Sequence, residues 1–284
     1  MSEVKRQAAP RRKGPRKGRL ALRLAAFGAL ALLVAALPAL LLWRSLPDVE
    51  PLRTRAPAST ALMEQRRAEA ARDGRPFRAD YRPVALDRIS PRLVRAVIAS
   101  EDASFFGHAG FDWDEIKNAA EQNWKAGRTV RGASTITQQL AKNLWLGTER
   151  SYLRKLREAL LAVKLERSLS KRRILTLYLD VAEWGNGVFG AEAAAHRWFG
   201  TGARDLSAAQ AATLAAMLPA PRRAALAPAP RWLARRARRI LNLMERNGTV
   251  PAGEVSPARA ELERILAVPA ALPGQPDEEP PEEG

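Results

Sequence analysis

The sequence predicts a mainly α-helical domain carried behind a single membrane-spanning helix. Three observations lead there: the uncharged run 24-LAAFGALALLVAALPALLLW-43, a succession of capped amphipathic segments after residue 89, and almost no alternating or β-branched run that would make a strand. With 284 residues the chain can hold one domain with a full core plus flanking segments. It contains no cysteine, which removes disulfide frameworks and thiolate metal sites.

The formal charge of +17 calls for an anionic partner: nucleic acid, lipid head groups or a phosphorylated substrate. Nine Lys and Arg residues fall in the first 23 positions, against one acid, Glu3. This basic tail, 1–23, directly precedes the apolar run. Twenty helical residues rise about 30 Å, the thickness of a bilayer's hydrocarbon core. A cleaved signal peptide would carry roughly 7 to 15 apolar residues and a small-residue cleavage site, whereas this run is longer and ends in Trp43-Arg44. The expectation is an uncleaved transmembrane helix over 24–43, tolerant of Pro38, with the basic side in the cytoplasm and everything after Arg44 outside.

Pro47, Pro51, Pro57, Pro76 and Pro83, set among charges, read as a stalk over 44–84, with the folded domain over 85–250. Ser90-Pro91 starts a helix ending near Glu101, with Leu93, Val94, Val97 and Ile98 on one face. Asp112 and Glu115 make a capping box, and Gly127 stops that helix. Ser134 opens a helix through Trp145. Ser151 opens a longer one to Ser168, with Leu153, Leu156, Leu160 and Val163 expected inside, and Ser170 opens the next. Ser207 caps an alanine-rich helix closed by Pro219, and 231–246 alternates basic and apolar faces. Residues 251–284 form a C-terminal extension whose Pro- and acid-rich end has a disordered composition.

Gly185, Gly187 and Gly190 match G-x-G-x-x-G, a dinucleotide fingerprint only between a strand and a helix. Here a helix precedes them and no βαβ unit can be drawn. They read as a loop, Gly185 and Gly187 giving backbone freedom and Gly190 with Ala191, Ala193, Ala194 and Ala195 permitting close packing.

Three clusters could carry chemistry. Glu101 and Asp102 lie where a helix runs into a glycine-containing loop, a place where a carboxylate can be partly desolvated for proton transfer; the alternative is loop hydrogen bonds from Asp102 and His108 with Glu101 solvated. Only two histidines occur, without metal-ligand spacing, which argues against a zinc site. Ser134, Thr135, Thr137, Gln138 and Gln139 open a helix that can present hydroxyls and backbone N–H groups to an anion or a sugar, or simply form a cap and a solvated face. Arg150, Arg154 and Glu158 lie four apart beside Lys155: an exposed salt-bridge ladder or, with Lys142, a basic set suited to a phosphate or pyrophosphate. Two decoys are discounted. Ser168-Leu169-Ser170-Lys171 has the S-x-x-K form without K-T-G or S-D-N and reads as a cap. The basic helix 231–246, placed outside the cell, suits anionic lipid head groups better than nucleic acid.

In order, 101-EDASFFGHAG-110, 132-GASTITQQLAKN-143, 154-RKLRE-158, 171-KRRILTLYL-179 and 187-GVFGAEAAAHRWFG-200 resemble glycosyltransferase family 51, the peptidoglycan glycosyltransferases, and within it the monofunctional biosynthetic branch. The blocks cover about 89–220. The resemblance implies a lysozyme-like helical domain with a smaller membrane-facing lobe, acting on lipid II and the growing lipid-linked glycan at the outer face of the inner membrane. It implies Glu101 as general base toward the acceptor's 4-hydroxyl and Glu158 on the donor side near the departing pyrophosphate. Lys142, Arg150, Arg154 and Lys155 would hold that pyrophosphate, and Asp102, Ser134, Gln138 and Gln139 would bind substrate in the cleft. No organic cofactor is implied; a divalent cation at the pyrophosphate is the one candidate. Membrane lipids and other cell-wall synthesis proteins are the expected partners, and nucleic acid is not. Trp113 and Trp124 are candidates either for the membrane interface or for core packing. Ala133, Thr176, Asp180 and Thr201 depart from the usual glycine, glutamate, asparagine and lysine of the blocks. The chain ends soon after the transferase blocks, so no transpeptidase domain is expected. The rival readings are an inactive membrane-anchored scaffold and a lysozyme-like lytic enzyme.

Overall fold

The computed structural model of the chain describes Phe27 and residues 40–128, 132–149, 151–226 and 228–267. Two compact units result, Met1–Leu46 and Pro47–Gly284. In the first, Phe27 and residues 40–45 are helical. The basic tail and most of the 24–43 span lie outside the described residues, as does the acidic C-terminal end. Among the described residues no helix is long and apolar enough to cross a membrane.

The second unit is built from helices: α1 (Ala61–Arg72), α2 (Pro91–Glu101), α3 (Trp113–Ala126), α4 (Ile136–Ala141), α5 (Tyr152–Ser168), α6 (Lys171–Val181), α7 (Ala191–Phe199), α8 (Ala208–Met217), α9 (Arg231–Arg246) and α10 (Val255–Leu266). A π-helical turn, Lys142–Leu146, continues α4. Caps set the starts as the sequence predicts: Ser90, Asp112, Ser151, Ser170 and Ser207 each accept a first-turn backbone N–H. Helix α4 begins one residue later than expected, because Thr135 rather than Ser134 forms the cap, reciprocated by Gln138.

Alanine-rich α8 is the centre of one half of the core. All of its residues except Gln210 are buried, and it packs against α2, α9 and α10. A helix that is apolar all round can only be stable when enclosed, and its methyl side chains allow neighbours to approach closely. In the other half, α4 packs against both α5 and α6, and α6 is buried from Ile174 through Val181. Trp184 links the halves: its indole Nε1 donates to the Leu214 carbonyl at 3.0 Å.

Three expectations are corrected. The face that α5 buries is Glu158, Leu161, Ala162 and Leu165, whereas Leu153 and Leu156 are 57% and 50% exposed. Leucines occupy both stripes of this helix, so periodicity alone cannot choose; burying the Glu158 carboxylate with its ion partners turns the other stripe outward. The folded unit also exceeds 85–250. Leu62 and Met63 of α1 pack on Phe189, the guanidinium of Arg66 donates to the buried Glu183 carboxylate at 2.9 Å, and α10 buries Ala258, Leu262 and Leu266. The prolines of the supposed stalk bend a segment that remains packed on the domain. Finally, a minimal sheet exists: β1 (Asp80–Tyr81) pairs in parallel with β2 (Val188–Phe189), Asp80 opposite Val188. Docking across the glycine stretch, rather than strand propensity, makes this pair.

Within that stretch Gly190 adopts φ +90°, and a Cβ there would sit 2.5 Å from the Asp180 carbonyl oxygen. Gly185 needs no unusual φ; it leaves room for the Trp198 ring, 3.1 Å from where a Cβ would stand, so its role is packing rather than backbone freedom. Trp113 and Trp124 are 72% and 88% exposed, which removes the core-packing alternative for both.

Two stability predictions follow from this region. Gly190→Ala combines a disfavoured φ with a backbone clash and should cost about 3 kcal/mol in urea unfolding. Burial pushes the Asp180 carboxyl up to about 7, against the hydrogen bond its Oδ1 accepts from Val84 N at 2.9 Å and the nearby Arg173 charge. Because the folded value lies above the unfolded value of about 3.9, the contribution of neutral Asp180 is complete below that value and is lost as pH rises through 7. Asp180→Asn keeps an acceptor for Val84 without ionising. Its stability advantage over the parent should therefore grow from pH 5 to pH 8, reaching about 2 kcal/mol in urea melts.

Candidate active site

Glu101 ends α2, and its side chain is 9% exposed. Its Oε2 accepts from Gln139 Nε2 at 3.0 Å, and its Oε1 accepts from Arg236 Nη2 of α9 at 2.6 Å. Burial, and secondarily the Glu101 charge, raises the Tyr178 phenol well above its ordinary value, so this hydroxyl stays protonated and donates. It donates to Gln139 Oε1 at 2.8 Å. That bond fixes the amide orientation: the oxygen faces Tyr178 and the NH2 faces Glu101. The polar relay Tyr178–Gln139–Glu101 thus aims a carboxylate with its donors already assigned.

The adjacent Asp102 does something different. Its Oδ2 accepts from the backbone N–H of Ile136, the first residue of α4, at 2.9 Å, and its Oδ1 meets His108 Nε2 at 2.9 Å. Thr135 Oγ1 donates to the Gly110 carbonyl at 2.8 Å, closing the same junction. Asp102 is therefore a clamp between the first and second sequence blocks, and with both oxygens engaged it is not placed to bind substrate. Gln138 is likewise taken up by the Thr135 cap and buried at 4% exposure, so it too serves α4 rather than the cleft.

The second carboxylate, Glu158, is 3% exposed in its side chain and lies between two cations. Arg154 Nη1 donates to its Oε2 at 2.7 Å and Lys155 Nζ to its Oε1 at 2.5 Å. Lys155 Nζ also reaches Ser134 Oγ at 3.2 Å. Burying an ion costs several kcal/mol, and paired charge-assisted bonds of this kind offset the cost. The result is one net positive charge over three groups, held by a single helix next to the start of α4. Lys142 opens the π-helical turn and is half-buried; such turns cluster at functional sites because they re-aim side chains. Arg150 lies outside the described residues.

The sequence grouped Glu158 with Arg150, Arg154, Lys155 and Lys142 and kept Glu101–Asp102 and the 134–139 run as separate clusters; the structure puts Arg154 and Lys155 on Glu158 and joins the clusters through Gln139 to Glu101 and Ser134 to Lys155. Two residues escaped that reading. Tyr178 lies in the fourth block, but no spacing rule connects it to Gln139. Arg236 sits in the basic helix assigned to lipid head groups, whose alternating pattern does not tell which of its arginines turns to α2.

A family model described as transglycosylase matches residues 71–245, which contain both carboxylates and Arg236. The chain belongs to the transglycosylase family. Similar proteins include the biosynthetic peptidoglycan transglycosylase of Methylobacillus flagellatus, 51% identical over 195 residues that cover 69% of this chain and 85% of that one. The protein of the same name from Chromobacterium violaceum is 51% identical over 196 residues, covering 69% and 86%. That from an Azoarcus species is 49% identical over 215 residues, covering 75% and 92%. For this transglycosylase the Asp102 clamp generates a test. Asp102→Ala leaves the fully buried Ile136 N–H without an acceptor and His108 without its partner, and should destabilise the fold by about 3 kcal/mol in urea unfolding.

Proposed function

We propose that the protein is a peptidoglycan glycosyltransferase that polymerises lipid II into β-1,4-linked glycan strands. The observation that carries this reading is the pair of buried carboxylates in contrasting company, Glu101 on an amide relay and Glu158 inside a cationic set. Relatives sharing about half of their aligned residues with this chain bear the name biosynthetic peptidoglycan transglycosylase, which supports the same substrate class here.

In the proposed reaction Glu101 accepts the proton of the acceptor sugar's 4-hydroxyl as that oxygen attacks the donor's anomeric carbon. The C1–O bond to pyrophosphate breaks, configuration inverts, and the negative charge that develops on the leaving group meets Arg154 and Lys155, with Lys142 and Arg150 as further cations. Ser134 and Gln139 line the two sides. A base on one face and fixed positive charge on the other suit a displacement in which water must lose to a sugar hydroxyl. Among the described residues no three carboxylate, imidazole or thiol groups converge, and both Glu158 oxygens are already engaged by cations. A divalent cation at the pyrophosphate would therefore be held by the phosphate oxygens and not by Glu158.

The anchoring run 24–43 would keep enzyme and lipid-linked substrate on one surface, with the folded unit outside the inner membrane. Exposed Tyr152, Leu153 and Leu156 at the start of α5, the helix that carries the cationic set, support a lipid-facing side there, and Trp113 and Trp124 of α3 are further exposed aromatic residues suited to a membrane interface. A scaffold without activity would have no need of Glu101 held in a three-residue relay, and a lytic enzyme would have no need of the cationic set around Glu158.

Full-length protein incubated with labelled lipid II should form polymer. Glu101→Gln should reduce turnover at least a thousandfold while the protein still folds with the parent's helix content by circular dichroism. Absence of polymer from the unaltered protein, or cleavage of preformed glycan instead, would sink the proposal.

A further inference from the structure

A cavity of about 130 Å³ at the C-terminal end of α1 is lined by Arg66, Glu69, Arg75, Arg78 and Arg222, with Pro76 and Phe77 as an apolar wall. Neither Glu101 nor Glu158 belongs to it. Arg66 is its buried member, 6% exposed, held by Glu183 at Nε and by Glu69 at Nη1. Glu69 is already saturated, since it also accepts from Gln65 Nε2 at 2.8 Å and from Arg222 Nη1 at 2.9 Å. Arg75 and Arg222 are 50% and 38% exposed, and each commits a single nitrogen, Nη2 to Asp73 and Nη1 to Glu69. Arg78 is exposed and makes no hydrogen bond or ion pair among the described residues. Four arginines thus meet three carboxylates, Glu69, Glu183 and Asp73, and positive charge is left over. The forks of Arg75, Arg78 and Arg222 remain open to solvent, in the geometry that recognises carboxylates in pairs of hydrogen bonds.

We propose that the cavity docks the acidic C-terminal segment of the same chain, its carboxylates pairing with Arg75, Arg78 and Arg222 and its prolines lying beside Pro76 and Phe77. Residues 268–284, outside the described residues, contain 276-PDEEPPEE-283, with five acids, three prolines and no cation. Acid and proline alternate there in blocks, which matches a cavity that sets arginines against an apolar wall. The chain leaves the described structure within reach of it. Ala229 N donates to the Leu266 carbonyl at 3.2 Å, and Arg222 precedes Ala229 by seven residues, a span of at most about 25 Å. Asp277 follows Ala267 by ten residues, about 31 Å even at polyproline spacing. A short tether also supplies an effective concentration of about a millimolar, so a few partly exposed ion pairs suffice for docking. This inference does not depend on the proposed glycosyl transfer, because neither carboxylate of that site takes part.

The test uses the full chain, which contains no cysteine and so accepts spin labels at chosen sites. With labels at Ala71→Cys, an exposed position next to the cavity, and at Gly284→Cys, a narrow distance population should hold more than about half of the molecules at low salt. It should give way to a broad distribution at about 1 M salt, where charges act over only roughly 3 Å. Replacing all five acids, Asp277→Asn with Glu278→Gln, Glu279→Gln, Glu282→Gln and Glu283→Gln, should abolish the narrow population, and so should Arg75→Gln combined with Arg78→Gln. Arg66 is left in place because it ties down α1. A parent distribution as broad as that of the acid-free variant overturns the inference, as does a narrow population that survives the arginine replacements. Loss of the narrow population on dilution with unlabelled chains would assign the cavity to the tail of a second copy, and overturns docking within one chain. A broad parent distribution, with phosphatidylglycerol retained by the parent and lost from the arginine variant, would assign it to lipid head groups instead. If the arginine variant fails to fold, the acid-free variant, which alters no described residue, decides alone.

Discussion

The carboxylate of Asp102 is the contact on which the geometry of the site depends. One of its oxygens holds the first backbone N–H of α4 and the other holds His108, so the end of α2 cannot move relative to the start of α4. Glu101 is its covalent neighbour, and Gln139 lies one turn into α4. The distance between those two side chains is therefore set by a bond that neither of them makes. Charge-assisted bonds to a buried carboxylate are short and strong, and the first-turn N–H groups of a helix are its positive end. A six-residue helix, too short to be stable alone, is nucleated at this point.

Helix α4 then acts as the strut between the two carboxylates. Just before it, Ser134 meets Lys155 of the Glu158 set; within it, Gln139 meets Glu101; after it, the π-helical turn carries Lys142. Its buried side has a second set of ties, since Thr137 Oγ1 donates to Glu166 at 2.5 Å and Lys171 Nζ reaches the same carboxylate oxygen at 2.7 Å. Those bonds lock α4 to α5 and α6 independently of the Asp102 clamp. On the far side of the turn, Gln65 of α1 accepts the Thr148 backbone N–H at 2.9 Å, which explains why α1 belongs to the folded unit. The hydroxyl- and amide-rich composition of 134–139 is thus mostly structural: Thr135, Thr137 and Gln138 fasten the strut, while Ser134 meets Lys155 of the Glu158 set and Gln139 faces Glu101.

Helix starts were legible because a cap is a local device: one side-chain oxygen two or three residues before a backbone N–H leaves its mark in the sequence at Ser90, Asp112, Ser151, Ser170 and Ser207. Which face a helix buries was legible only where one stripe was apolar. In α5 the buried stripe contains a glutamate, and the leucines at 153 and 156 face out, so burial followed ion pairing rather than hydrophobicity. The cationic set could be read because Arg154, Lys155 and Glu158 share one helix turn. Arg236 could not, since 135 residues separate it from Glu101 and only the packing of α9 on α2 joins them. The span of the domain was misjudged for a similar reason: prolines report on local backbone, whereas the Arg66–Glu183 pair that ties down α1 is a contact over 117 residues.

The two carboxylates also differ in how their charge is balanced, and that difference organises the site. Glu101 has one cation and one neutral amide, so its surroundings with Arg236 sum to zero and a proton arriving there leaves a net positive charge. Glu158 has two cations, so its surroundings are positive before any substrate arrives. Fixed charges withdrawn from water are worth more than solvated ones and need no reorganisation during reaction. On the proposed reading, a proton moves toward Glu101 and negative charge moves toward Arg154 and Lys155, so the site is preset along the direction in which charge separates. Glu158 is then less a reactant than the group that makes it feasible to keep an arginine and a lysine side by side, half withdrawn from solvent, until a pyrophosphate takes over its bonds.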